Sequence, residues 1–286
     1  MKILVLGCNG MAGHLISLYF KEKGHEVIGF ARSASRFLDS TIIGDASDMA
    51  FIKSVLEEGE YDAVINCIGL LNQFAENNKA MAVLLNGYLP HYLVEVTKGM
   101  QTKVIHMSTD CVFAGNDAPY YEDSLPNGTT FYDRTKAIGE FNNDKDLTFR
   151  NSIIGPDIKE SGIGLFNWFM KQAGPIGGYT GAIWTGVTTY TLAKAMEAAL
   201  KENLTGLYNL VNNESINKFD LCSLFNKHFR NGEIVINPDD RLQLDKSLRR
   251  RRNDFSFVVP SYEQQILEMR EWVENHKSIY PHYNLK

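Results

Sequence analysis

Cysteine is scarce and scattered in this chain: Cys8, Cys67, Cys111 and Cys222 are the only four, and they form no Cys-x-x-Cys pair. Neither a zinc site nor a disulfide framework is signalled, and buried or site-adjacent thiols are expected instead. The seven histidines show no His-x-x-x-His spacing, so no metal is expected. No apolar run approaches the roughly 20 residues a bilayer span requires, and Met1 leads into a strand rather than a charged-then-apolar leader. A cytoplasmic protein without a membrane partner is therefore expected. An excess of positive charge is also missing: the formal charge is −5, which argues against nucleic acid as a general partner. The one basic run, Arg249 to Arg252, has Asp245 and Asp254 nearby. It reads as a solvated turn or as a site for an anionic ligand. No internal repeat and no low-complexity linker divides the chain.

What is present is an ordinary balance of 44% hydrophobic and 22% charged residues over 286 positions, enough for one large α/β domain or a domain with a smaller lobe. Lys2 to Leu6 reads as a fully buried strand, apolar without alternation, as parallel strands covered on both faces tend to be. Gly7-Cys8-Asn9-Gly10-Met11-Ala12-Gly13 follows. Then comes a helical pattern through Leu15, Ile16, Leu18, Tyr19 and Phe20, with Gly24 as its C-terminal cap. Glycines between a strand and a helix let a pyrophosphate approach the backbone, and the helix N-terminus offers unpaired N–H groups. This arrangement points to a dinucleotide site.

The second strand, Glu26 to Phe30, ends at Ala31-Arg32-Ser33. A site preferring NADH would place an acid near here to bond the ribose 2′-hydroxyl. Arg32 would instead hold a 2′-phosphate, so NADPH is expected, with NADH possible. After a third strand, Thr41 to Gly44, Asp45-Ala46 is placed to meet the adenine edge, while Asp45 or Ser47 equally suits a helix cap. The fourth strand, Ala63 to Gly69, brings Cys67, Ile68 and Gly69 to its C-terminal end, where open parallel sheets bind ligands. A long helix is expected next, striped by Met81, Leu84, Leu85, Leu89, Leu93 and Val94 and interrupted by Asn86. That buried amide would fix backbone near the site or bind a structural water, core polarity being the simpler reading.

The fifth strand, Val104 to Met107, delivers Ser108-Thr109-Asp110. A loop from Ala114 to Gly128, long enough to suggest function, leads to Tyr132-Asp133-Arg134-Thr135-Lys136. On a helix Tyr132 and Lys136 share a face. A phenol beside a cation is expected to have a lowered pKa and can hand a proton to a carbonyl oxygen as hydride reaches its carbon. Leu147 to Ile154 completes a doubly wound parallel sheet of the Rossmann type. Residues 155 to 186 interleave glycines with Phe166, Trp168, Phe169, Tyr179 and Trp184, which would bind a flat ligand or sugar ring or simply pack a small lobe. A helix from Thr188 and a strand, Leu207 to Val211, return to the core. Helices are expected over Phe219 to Phe229 and Tyr262 to His276. Residues 1–154, with 187–212 returning to them, form the expected dinucleotide domain; 155–286 form mainly a substrate lobe.

With Gly7-x-x-Gly10-x-x-Gly13, Ser108-Thr109-Asp110 and Tyr132-x-x-x-Lys136 in place, the chain resembles the extended short-chain dehydrogenase/reductase superfamily. Ser108 to Gly115, Thr135-Lys136-x-x-Gly139-Glu140 and Arg150 are similar to the dTDP-4-dehydrorhamnose reductase family over most of residues 1–212. The resemblance implies reduction of a nucleotide-linked 4-keto-6-deoxy sugar for a surface polysaccharide. Tyr132 would be the proton donor, Lys136 the ribose-holding cation, and Thr109 or Ser108 the second bond to the carbonyl oxygen. Arg150, Trp184 and Arg249 would meet the substrate. Cys111 stands where a Tyr is common in that family, Asp133-Arg134 replaces the usual Gly, and Asn66 to Gly69 replaces an Ala-rich turn; these departures leave a UDP-linked 4-keto sugar in competition. A nucleotide-sugar epimerase would add an acid beside Ser108-Thr109, and strand alternation is expected to turn Asp110 away from Thr109. A non-catalytic NADP(H)-binding regulatory protein would not need the Tyr and Lys. A homodimer is a further expectation.

Overall fold

The computed structural model describes residues 1–283 and Leu285. β1 (Lys2–Leu6) lies in the interior of a seven-stranded sheet, and its side chains explain its unbroken apolar sequence. Ile3 and Val5 enter one core cluster, with Leu15 and Ile16 of α1 (Met11–Glu22), while Leu4 and Leu6 enter a second on the opposite face. A strand covered on both faces has no polar side to show. β2 (Glu26–Ala31) pairs with β1 in parallel, and β3 (Ser40–Ile43) with β2. α2 (Met49–Gly59) then carries the chain back across β1 to β4 (Ala63–Asn66). Ile52, Val55 and Leu56 of α2 fill the second cluster. The direction of strand addition therefore reverses between β1 and β4, and a crevice opens at their C-terminal ends.

The long helix expected after β4 is broken into α3 (Asn72–Asn77), α4 (Lys79–Ala82), a π-helical stretch (Val83–Tyr88) and α5 (Leu89–Val96). Asn72 takes a left-handed φ of 39° and Asn78 caps α4 by accepting from Met81 N. Pro90 cannot donate to the carbonyl of Asn86, and its ring would crowd an α-helical partner there. The wider winding turns Asn86 inward, where its amide oxygen accepts from Leu70 N at 2.7 Å and its nitrogen donates to Leu70 O at 2.9 Å and Thr135 Oγ1 at 3.1 Å. Asn86 thus fixes backbone beside the crevice.

β5 (Lys103–Met107), α6 (Phe131–Ile138) and β6 (Leu147–Arg150) continue the sheet, whose full order is β3-β2-β1-β4-β5-β6 with one later strand outside β6. The loop from Ala114 to Gly128 is wrapped around Tyr120. Its hydroxyl accepts from the N–H groups of Gly115, Asn116 and Asp117, and its ring stacks on Phe113 with centroids 4.0 Å apart. This half of the loop is architecture. The sixth strand stops at Arg150, and β7 (Ile153–Ile154) leaves the sheet to pair elsewhere.

α7 (Leu165–Met170), β8 (Ile176–Tyr179), β9 (Ala182–Trp184) and β10 (Val187–Thr188), the partner of β7, begin the smaller lobe. α8 (Thr189–Lys201) packs on α1, and β11 (Gly206–Asn209) pairs with β6 as the outermost strand of the main sheet. β12 (Ile216–Asn217), α9 (Lys218–Phe229), β13 (Ile236–Asp239), β14 (Leu244–Asp245) and α10 (Tyr262–Asn275) complete the lobe, with small sheets β12-β9-β14 and β13-β8. Phe166 and Phe169 pack against Phe225, and Trp184 is 3% exposed against Tyr262. Packing therefore accounts for these three of the segment's aromatic residues. Trp168 and Tyr179 stay on the surface.

The end of the chain reaches back to the glycine loop. His14 of α1 is fully buried, its Nε2 2.8 Å from Tyr280 Oη, which also accepts from Trp272 Nε1. Burial drops its pKa from 6.5 to about 4. The unfolded imidazole takes up a proton through pH 6.5 and the folded one only near 4, so stability present above 6.5 is lost as the pH falls toward 4. The expected loss from His14 is about 3 kcal/mol. Urea midpoints should fall across this window in the wild-type protein and less steeply in His14→Gln. A wild-type midpoint that holds its position would contradict the assignment.

Candidate active site

The crevice between β1 and β4 is built by glycine geometry. Gly7 has φ +81°, a left-handed value that a side chain rarely adopts. Gly10 N donates to Gly7 O at 2.9 Å, and a Cβ on Gly13 would sit 2.1 Å from the same oxygen. α1 begins at Met11 with Gly10 as its N-cap and no side chain bonded to its first N–H groups. Those donors and the positive end of the helix face the crevice. Asn9 Nδ2 donates to Ser33 O at 2.9 Å, tying the loop to the end of β2. Such a cradle fits a dinucleotide pyrophosphate. Gly13→Ala is expected to weaken binding of a nicotinamide dinucleotide at least about tenfold, or about 1.4 kcal/mol, measured by fluorescence titration with NADPH and NADH. Undiminished affinity would place the cofactor elsewhere.

Arg32 and Ser33 are exposed where β2 ends. Asp45 accepts from Ser47 N at 2.9 Å and Ser47 Oγ at 2.7 Å. These two bonds, then Arg32, hold its carboxyl below the usual range. The cap of α2 is neither Asp45 nor Ser47 but Asp48, which accepts from Phe51 N at 2.9 Å. Ala46 is buried beneath Asp45 in the core.

A cavity of about 400 Å³ brings Gly10, Met11, Cys67, Ile68 and Gly69 together with Ser108, Thr109, Asp110, Cys111, Tyr132 and Lys136. A wider depression of about 610 Å³ between α9 and β13 holds none of the expected site residues. The cavity floor is set by helix capping: Thr130 accepts from Asp133 N and Asp133 from Thr130 N, a reciprocal box that starts α6 and fixes Tyr132 and Lys136 one turn apart. Tyr132 is 8% exposed.

Its phenol is not the easily ionised group expected from the sequence. Burial pushes it far above its usual value, and Cys111, Asp110 and Asp133 push the same way while the Thr109 hydroxyl opposes them. Lys136 is held elsewhere: its Nζ lies 2.6 Å from Met107 O and 3.3 Å from His106 Nε2. Burial lowers this lysine to about 8, against the pull of Glu140 and Cys67. The phenol therefore keeps its proton through neutral pH until an acceptor arrives.

Thr109 accepts from Cys111 N at 3.1 Å and donates to Asp110 Oδ1 at 3.1 Å. Ser108 donates to Glu140 Oε1 at 2.6 Å. The reading that turned Asp110 away is corrected. β5 ends at Met107, and Asp110 opens a short 3₁₀ turn, where the two-residue alternation of a strand no longer applies. Asp110 lines the cavity, and burial raises its carboxyl against the opposing effects of Lys218, Thr109 and Lys246. Lys218 lies over the Trp184 ring at 5.0 Å and is itself lowered to about 8 by burial. Lys218 and Lys246 were missed because they follow Thr109 by more than a hundred residues with no motif around them.

The expected substrate contacts are placed differently. Arg150 is 2% exposed and doubly bonded to Glu140, outside the cavity lining. The guanidinium at the end of β6 finds its carboxylate just after α6, which packs over the sheet. Trp184 is buried under Lys218, and Arg249 donates to Leu248 O at 3.1 Å. Arg250 donates to Tyr208 Oη, Arg251 pairs with Asp123, and Arg252 clamps Thr205 O and Leu207 O. The basic run thus fastens the lobe to β11 and the loop before α6. Among the described residues, no cluster of three or more His, Cys, Asp or Glu side chains is arranged to hold a metal, and no helix is long and apolar enough to cross a membrane.

The model of the RmlD substrate binding domain matches residues 1–152. Methionine adenosyltransferase 2 subunit beta of Xenopus laevis is 27% identical over 166 residues, 56% of this chain and 48% of that protein. The dTDP-4-dehydrorhamnose reductase of Streptomyces griseus is 30% identical over 139 residues, 48% of this chain and 43% of that one. The chain therefore spans about half the length of these curated relatives. The crystal structure of dTDP-4-dehydrorhamnose reductase from Bacillus anthracis in complex with NADP superposes with a TM-score of 0.78 at 18% identity, over 96% of this chain and 99% of that one. At that identity the likeness shows the fold.

Proposed function

We propose that this chain, which belongs to the RmlD substrate binding domain family, reduces the C4 keto group of a nucleotide-linked 4-keto-6-deoxy sugar with NADPH. The observation that carries the reading is the convergence of Tyr132, Thr109 and Lys136 on one cavity at the mouth of the Gly7–Gly13 cradle. Gly7, Asn9, Gly10, Met11 and Gly13 would hold the pyrophosphate, Arg32 and Ser33 the 2′-phosphate, and Asp45 and Ala46 the adenine side. Cys67, Ile68 and Gly69, with their backbone fixed through Asn66 and Asn86, would line the nicotinamide side. NADPH, when bound, supplies the hydride.

Tyr132 hands its phenolic proton to the C4 oxygen as negative charge gathers there, and Thr109 steadies the same oxygen by a hydrogen bond. Lys136 holds the cofactor ribose and stabilises the phenolate left behind. Ser108 acts at one remove, through Glu140. Asp110 faces the sugar from the cavity wall, with Lys218 and Lys246 behind it favouring its charged form, a set different from the Arg150 contact expected from the sequence. No covalent intermediate is needed; the chain orients its reactants and supplies charge.

The test is NADPH oxidation against a panel of dTDP- and UDP-linked 4-keto-6-deoxy sugars, with NADH in parallel. Consumption with one member supports the reading. A clear preference for NADH would remove the role given to Arg32. NADPH binding without consumption of any sugar would favour a non-catalytic NADP(H)-binding regulatory protein.

A further inference from the structure

The buried polar chain behind Lys136 has a direction that the motifs did not suggest. Asn66 ends β4 and His106 sits on the adjacent strand β5, in register with it, and both are fully buried. Asn66 Oδ1 accepts from Ile68 N at 3.1 Å, which settles which end of the amide is oxygen. Its Nδ2, a donor only, then faces His106 Nδ1 at 3.2 Å. His106 Nδ1 must be the accepting nitrogen. A neutral imidazole with Nδ1 as acceptor carries its proton on Nε2. That Nε2–H points at Lys136 Nζ, 3.3 Å away. An ammonium has no lone pair to receive it, whereas a neutral amine receives it and still donates to Met107 O at 2.6 Å.

We propose that Asn66 and His106 act as a positioning pair that presents a hydrogen-bond donor to Lys136 and thereby brings the charge change of this lysine into the working range of the site. The inference rests on the reductase reading for its kinetic consequence but not for its structural content. The groups facing Lys136 are Glu140 and Tyr132 on or beside α6, Cys67 after β4 and His106 on β5; His91 of α5 faces His106 from behind. Glu140 and Cys67 favour the charged lysine, and burial disfavours it. The His106 N–H joins burial. His106 is itself held neutral by burial, Lys136 and His91, so it contributes a fixed donor and does not titrate in the same range. Above the pH at which Lys136 loses its proton, the phenolate formed during reduction has no cation beside it, and the alkaline limb of kcat belongs to Lys136.

Long-range ¹⁵N spectra of histidine in the NADPH complex, with His106 assigned by its loss in His106→Gln, read the tautomer directly. A protonated Nε2 with a bare Nδ1 is expected; a protonated Nδ1, or an imidazolium, overturns the proposal without any reference to turnover. In Asn66→Asp the carboxylate still accepts from Ile68 N but also from Nδ1–H, which turns the Nε2 lone pair toward Lys136. The Lys136 titration, followed by its ¹³Cε resonance, should rise by about one pH unit or more, a tenfold gain in proton affinity, and the alkaline limb of kcat should move with it. A flipped tautomer with an unmoved Lys136 titration overturns the proposal. If no sugar in the panel is reduced, the reductase reading fails while the tautomer and the lysine titration still decide this one. If Asn66→Asp does not fold, the wild-type tautomer decides it.

Discussion

Tyr132→Phe is expected to lower kcat for sugar reduction by about 10² to 10⁴-fold, the range that a positioned general acid contributes, while leaving NADPH affinity and thermal stability close to wild type. The substitution removes one oxygen and keeps the ring. That ring packs with Ala75 and Ala82 beside Cys111 and Phe131, so the core under α6 survives. The missing atom is the one that burial and its acidic neighbours keep protonated. A phenol so held is a poor acid in the resting site. It becomes an effective one only when an alkoxide develops beside it and the charge left on the phenol can be met by Lys136. The raised phenol thus prevents loss of the proton to solvent before hydride transfer. The decisive measurement is single-turnover NADPH oxidation with a productive sugar, alongside a binding titration. Near-normal turnover would remove Tyr132 from its assigned role, and a parallel loss of NADPH affinity would move it to the cofactor.

Much of the fold was legible because the residues that specify it act locally. The apolar run of β1, the glycines after it and the striped helix behind them need only neighbours in sequence to be read, and the structure has a strand, a tight loop and a helix in those places. Tyr132 and Lys136 were legible for the same reason, since one helical turn fixes their relation. Failures came where a distant partner decided the outcome. The phenol was expected to feel Lys136, yet the lysine is drawn to the Met107 carbonyl and His106 on a neighbouring strand. Asp110 was judged by strand alternation although it lies three residues beyond the last residue of the strand and opens a turn. The expected single helix after β4 is divided at Asn78 and rewound before Pro90, where the inward amide of Asn86 serves a loop and a helix that its own stripe cannot reveal. Lys218 and Lys246 reach Asp110 only through the folding of the second lobe.

Arg150→Ala is expected to destabilise the protein by about 3–5 kcal/mol, the usual result of leaving one member of a buried ion pair without its partner, and not to act as a selective KM change. Arg150 Nε donates to Glu140 Oε1 at 2.8 Å and Nη2 to Oε2 at 2.6 Å, with side-chain exposures of only 2% and 6%. Nη1 reaches Tyr121 O at 3.2 Å, and the guanidinium lies 5.0 Å from the centre of the Phe113 ring. Removing the arginine leaves the buried Glu140 carboxylate with only the Ser108 hydroxyl as a hydrogen-bond donor, and it unfastens Tyr121 in the middle of the loop that Tyr120 organises. Urea midpoints should show the loss directly. Replacing both partners by apolar residues, as in Arg150→Met with Glu140→Leu, should recover much of it, because the cost lies in the uncompensated charge. A substrate-binding arginine would behave in the opposite way, with wild-type stability, a raised KM in Arg150→Ala and no recovery in the double variant. That pattern would restore Arg150 to the sugar. The pattern expected from the buried pair instead makes Arg150 and Glu140 the support on which Ser108 is hung, one bond behind the threonine and the phenol that meet the carbonyl.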